Sequence, residues 1–223
     1  MQSLFDDLDN RKSELGHYLD LIDFLSASHT ITNEKNETFQ INTNLVKTTK
    51  GTVYLMLYNL IEATMREAVL AIHDKISANG SSFDNLRVEL QKKILTRARK
   101  ESIDLGKMLE SMNGDISLKF HSSALKAKDL FSGNIDRTEI QKIATIYGFS
   151  DDTNYGQTKH GEHLKSVMTN RNDLAHGNKT FSNVGETKTA EDIRKLSNEV
   201  IAYIYEISDN IQDSVINKNY LKA

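Results

Sequence analysis

The stretch SVMTNRNDLAHGNKTF, residues 166–181, places Arg171 five positions before His176. An arginine guanidinium stays charged and forks onto two phosphate oxygens. A histidine changes charge near neutral pH and can pass a proton. Together they suffice in kind for metal-free attack of a ribose 2′-hydroxyl on its neighbouring phosphorus. One group would assist the proton transfer, and the other would steady charge on the phosphoryl oxygens. The alternative is an ordinary helix end with a stray histidine.

Geometry sets a condition. Five residues at about 100° each put the two side chains roughly 140° apart on a straight helix. They do not converge without local unwinding or a second copy of the chain facing the first. Asn172 and His176 stand at i and i+4, so Asn172 could orient the imidazole. Gly177 is the residue type expected just past a helix end, which puts His176 in the last turn.

Other candidate groups carry weaker signals. His160 and His163 in KHGEH could share a helix face, but two histidines without a fixed acid are poor metal-site evidence, and a polar first turn explains them. His73 follows an apolar stripe and reads as a tip pointing to solvent. Lys92, Lys93, Arg97, Arg99 and Lys100 crowd QKKILTRARK with no acid among them, either for phosphate contacts or as a solvated helix face. Asn36, Asn79 and Asn178 head N-x-S/T triplets, which read as chance matches without a secretory signal.

Composition narrows the classes. The chain has 223 residues, no cysteine and no proline. Disulfides, thiol nucleophiles and cysteine-bound zinc are thereby excluded. Absence of proline permits long uninterrupted helices. A net charge of −3 does not suit a protein that coats nucleic acid through bulk charge. No G-x-G-x-x-G, P-loop or G-x-S-x-G pattern occurs. The acidic N-terminus lacks signal-peptide order, and no apolar run nears a bilayer span. We expect a soluble cytoplasmic protein with no cofactor and no membrane partner.

The elements that must position Arg171 and His176 are helical. Leu4, Leu8, Leu15, Tyr18, Leu19, Ile22 and Leu25 recur at helical steps, and this first helix should end near SASHT. Residues 29–50 read as a long polar loop with an extended piece around Phe39 to Ile41. Val53, Met56, Leu57, Leu60, Ile61, Thr64, Ala68 and Ile72 mark the strongest helix, ended by SANGSS. A third helix runs through FDNLRVELQKKILTRARK. Short helices are expected around Leu105–Met112 and Ser122–Leu130. DRTEIQKIATIYGF reads as a capped helix, SDDTNYGQT as loop, and a helix from about His160 carries the motif. NKTFSNVGETK reads as a polar turn. Ile193, Leu196, Val200, Ile204, Ile207, Ile211 and Val215 form a stripe suited to a bundle seam or a dimer contact. The fold class is all-α, a helical bundle with long second and C-terminal helices and shorter helices between.

RNDLAHG resembles the R-x(4–6)-H signature of HEPN domains, which are all-helical and occur in prokaryotic toxins, phage-defence proteins and RNA-processing enzymes. The helix LMLYNLIEATMREAV and the segment GNIDRTEIQKIATIYGF resemble a small stand-alone bacterial HEPN family. The chain then reads as one all-helical HEPN-like unit over 1–223, with a helix and polar loop in 1–50 and the HEPN core in 51–216. The resemblance implies metal-independent RNA cleavage where two domains meet, each contributing arginine and histidine. Arg171 and His176 are then catalytic, with Asn172 as the polar second residue and Asp173 beside it. Some HEPN ribonucleases carry an acid-x3-basic pair upstream, and Glu62 and Arg66 stand at that spacing. A plain i,i+4 salt bridge explains the same pair. HEPN toxins paired with a nucleotidyltransferase antitoxin often carry a tyrosine two residues after the histidine. Asn178 stands there.

The expectation is a homodimeric endoribonuclease in toxin or phage-defence biology, acting on RNA, with an antitoxin or defence-system protein as a possible partner. The alternative is a non-catalytic HEPN-fold module that binds protein or RNA. A third reading is a plain helical dimer in which Arg171 pairs with Asp173 or with an acid on the next helix.

Overall fold

The computed structural model describes residues 1–100 and 134–222, with the side chains of 97–100 outside that description. The short helices expected around Leu105–Met112 and Ser122–Leu130 lie outside the described residues.

Helix α1 (Gln2–Ala27) buries Leu4, Leu8, Leu15, Leu19, Ile22 and Leu25. A small ribbon follows, β1 (Thr30–Thr32) antiparallel to β2 (Thr38–Gln40), with Ile31 opposite Phe39. Asn33 closes its turn, accepting from the backbone N–H groups of Lys35 and Glu37. Helix α2 (Thr43–Ala78) is the axis of the bundle. Helix α3 (Val88–Lys100) packs on α4 (Arg137–Tyr147). Asp136 caps α4 at its start, and Gly148 ends it at φ 82°, the left-handed region that favours glycine. A one-turn helix α5 (Tyr155–Thr158) leads into a 3-10 turn and then α6 (Leu164–Ala175). A short α7 (Phe181–Gly185) precedes α8 (Ala190–Ile216), which a reciprocal Thr189–Asp192 capping box starts. Apart from the ribbon and an isolated bridge between Leu86 and Leu221, the described residues form an all-α bundle.

Four sequence expectations fail here. Residues 43–50, expected as loop, are the first two turns of α2. Asn42 caps them by accepting from Leu45 N–H at 2.8 Å, and buried Lys50 donates to the carbonyl of Lys188. NKTFSNVGETK is not only a turn, because it contains α7. Hydrophobic periodicity could not show α7, since backbone contact holds it. A Cβ on Gly51 would lie 2.2 Å from the Phe181 carbonyl oxygen, and one on Gly185 would lie 1.8 Å from that of Lys47. SDDTNYGQT likewise holds the one-turn α5, and α6 begins at Leu164 rather than near His160. Lys159, His160 and Gly161 take φ of 49°, 49° and 72° in succession, a left-handed reversal where a helix start was expected.

The α8 stripe resolves the choice between seam and dimer contact. Ile193, Leu196, Val200, Ile204, Ile207, Ile211 and Val215 are all buried within one chain, in the same core as the α1 and α2 stripes. The stripe is therefore a bundle seam and has no face left for a second copy. His73 is also corrected. It is buried, its Nε2 lies 2.8 Å from the Tyr147 hydroxyl, and the two rings meet edge to face. The C-terminal end of α4 covers a position that the periodicity placed at the rim.

Candidate functional site

The site stands where α6 crosses the middle of α2. On α2, Tyr58, Glu62 and Arg66 follow at four-residue steps, so they line one face. On α6, Arg171 reaches that face. Its guanidinium carbon lies 4.3 Å from the centre of the Tyr58 ring. Its Nη1 donates to Asn172 Oδ1 at 2.9 Å, and its Nη2 is 3.9 Å from Glu62 Oε2. Arg66 Nη2 donates to the other oxygen of Glu62. One carboxylate thus stands between two guanidinium groups, and the cluster keeps a net positive charge.

Supports come from a third segment. Asn172 Nδ2 donates to Asn134 Oδ1 at 2.7 Å, and Ile135 N–H donates to the Tyr58 hydroxyl oxygen at 3.3 Å. Burial is the main influence on the Tyr58 hydroxyl and pushes its pKa up. The Ile135 N–H opposes that rise, and the Glu62 carboxylate adds to it.

The histidine lies in a different setting. His176 follows the last residue of α6 and takes φ −93°, ψ 1°. Gly177 at φ 70° turns the chain, with Gly177 N–H on the Leu174 carbonyl and Asn178 N–H on that of Asp173. This is the two-bond glycine stop that satisfies orphan carbonyls at a helix end. The imidazole is exposed and makes no hydrogen bond or ion pair among the described residues. Among the described residues no hydrogen bond or ion pair joins it to Arg171.

The smaller assignments can now be placed. Asn172 serves Arg171 and Asn134 rather than the imidazole. Asp173 pairs with Lys179 at 2.7 Å instead of with Arg171, and that pairing holds its carboxyl below the usual range. The acid that Arg171 meets is Glu62 on α2. The Glu62–Arg66 pair forms an i,i+4 salt bridge, one of the two readings of that spacing, and its carboxylate also reaches the motif arginine. His160 and His163 do not converge: His160 Nδ1 lies 3.1 Å from Thr153 Oγ1, and His163 Nε2 lies 2.8 Å from Glu199 Oε2 on α8. Among the described residues no group of three or more His, Asp or Glu is placed to hold a metal ion. Lys92 is exposed and Lys93 half-buried on α3, whose Leu90 and Ile94 enter the core. The side chains of Arg97, Arg99 and Lys100 lie outside the description. Among the described residues no helix is long and apolar enough to cross a membrane.

The family model HEPN_MAE_28990-like HEPN matches residues 1–220. The chain belongs to this HEPN family. The match includes the first fifty residues, which the sequence reading set apart from the HEPN core. No curated protein and no solved structure matches the chain. In this HEPN chain the motif arginine is built into the α2–α6 crossing, while the motif histidine stands outside it. Sequence reasoning missed Tyr58 and Asn134. Tyr58 had a usable signal, because Tyr58, Glu62 and Arg66 continue a single four-residue step. Asn134 had none, since only the fold brings it to Asn172.

Proposed function

We propose that this HEPN protein is a metal-independent endoribonuclease whose site is completed by a second copy of the chain, in toxin or phage-defence biology. The observation that carries the reading is the division of the motif. Arg171 is held at the crossing with part of its guanidinium open, and His176 is exposed with its ring uncommitted. A pair separated in this way within one chain suits a site in which facing copies pool their groups. In the reaction the ribose 2′-oxygen attacks the adjacent phosphorus while the bond to the 5′-oxygen breaks. His176 takes the 2′-hydroxyl proton, and the leaving 5′-oxygen acquires one. Arg171 offsets charge on the non-bridging oxygens. The product ends are a 2′,3′-cyclic phosphate and a 5′-hydroxyl.

The test uses purified wild type and His176→Ala with total RNA in EDTA. Cleavage by wild type alone, leaving cyclic-phosphate ends, is expected. An inert wild type, or an alanine variant that cuts equally well, overturns the reading. One observation favours a non-catalytic binding module instead: Arg171 already has a ring, an amide and a carboxylate as partners. Under that reading wild type binds RNA or a partner protein without cutting.

A further inference from the structure

We propose that Tyr58 is a positioning residue for Arg171, a ring platform that fixes the plane of the guanidinium and so aims its free N–H groups at substrate phosphate. The inference rests on the ribonuclease reading and deepens it.

Three observations carry it. The guanidinium carbon lies 4.3 Å above the Tyr58 ring, so the ring's negative face holds the cation. The ring is fully buried and its hydroxyl oxygen accepts from Ile135 N–H, so the platform is anchored at its far end. The hydrogen bond to Asn172 Oδ1 and the ion pair with Glu62 then restrict the guanidinium. Each terminal nitrogen carries two N–H groups. One on Nη1 goes to Asn172, while Nη2, 3.9 Å from Glu62 Oε2, is too far for a hydrogen bond to it. A donor remains on each terminal nitrogen, which is the number a bidentate phosphate contact takes. Burial pushes the pKa of the Tyr58 hydroxyl up, and the Glu62 carboxylate on the next turn of α2 adds to that rise. A tyrosine that only filled the core would not need the cation on its face.

The test has a structural arm and a kinetic arm. In the first, the Arg171 Nε–H resonance is assigned by its loss in Arg171→Lys. A group held above a ring resonates upfield of solvent-exposed arginines. Wild type and Tyr58→Phe should show that shift, and Tyr58→Leu should lose it. In the second, Tyr58→Phe should cleave RNA within about 3-fold of wild type. Tyr58→Leu should lower kcat by about 10-fold or more with little change in KM, the pattern of an interaction made in the transition state. Adding Tyr58→Leu to Arg171→Lys should cost nothing further, because the two act through one group.

An unshifted Arg171 resonance in wild type overturns the platform, as does full additivity of the two substitutions. If Tyr58→Leu fails to fold by circular dichroism, the wild-type resonance and the Tyr58→Phe activity decide. An inert wild type with the upfield resonance intact would sink the ribonuclease reading and leave the platform standing.

Discussion

Arg171 and His176 lie five residues apart on one segment and in opposite environments. The arginine is gripped from three sides, by the Tyr58 ring, the Asn172 amide and the Glu62 carboxylate. The histidine is exposed past the end of α6, with only its backbone engaged. A group that stabilises charge gains from fixed geometry, because preorganised donors need no rearrangement during reaction. A group that moves protons must meet the atom it serves, and that atom arrives with substrate or with a second copy. The contrast suits a division of labour, with one half of the pair prepared by the fold and the other left to assembly.

The largest test of this contrast is activity. His176→Ala and Arg171→Ala should each lower cleavage by about 10²-fold or more, read as initial rates on a defined RNA. Similar losses from such dissimilar environments would show that burial does not rank catalytic importance.

Next comes the contact that sets where the motif's return loop runs. Gly185→Ala would drive a methyl into the Lys47 carbonyl, so α7 must shift or detach. A loss on the order of 1–3 kcal/mol is expected in denaturant unfolding, as for other overpacked sites. An unchanged midpoint would break the idea that α7 anchors this loop.

Stability should then separate the two motif residues. Arg171→Ala removes a half-buried cation–π contact and should cost about 1 kcal/mol. His176→Ala should stay within about 0.5 kcal/mol of wild type, as exposed substitutions do. Equal thermal midpoints for the two variants would contradict the comparison.

The smallest effect lies between them in sequence. Pairing with Lys179 depresses the folded pKa of Asp173. Its contribution is therefore present above the ordinary carboxylate pKa and is lost as pH falls through the depressed value. Asp173→Asn should lower the midpoint slightly at neutral pH, and the gap from wild type should close on acidification below about pH 4. A gap that widens in acid would reverse the sign of this reading.

Much of the scaffold was legible because periodicity and caps report it locally. The α1, α2 and α8 stripes are buried as read apart from half-buried Tyr18 and Met56, and Asp136 and Gly148 bracket α4 as the capped segment implied. What periodicity cannot report is what a stripe packs against. The α8 stripe reads equally as seam or dimer face, and only the fold shows it consumed within one chain. Nor does it report contacts made by backbone, which is why the segment of α7 reads as a turn and the first turns of α2 read as loop. The same limit applies at the site. Arg171, His176 and the Glu62–Arg66 spacing were visible, but the ring beneath Arg171 was hidden among apolar neighbours.

The ribbon between α1 and α2 offers a practical opening. Its strand residues are exposed apart from half-buried Ile31, and Asn33 closes the turn through bonds inside the ribbon itself. An epitope or fluorophore spliced near Lys35 should therefore leave the bundle and the motif undisturbed. Two differently coloured preparations could then be mixed, and energy transfer between them would report whether copies of the chain associate.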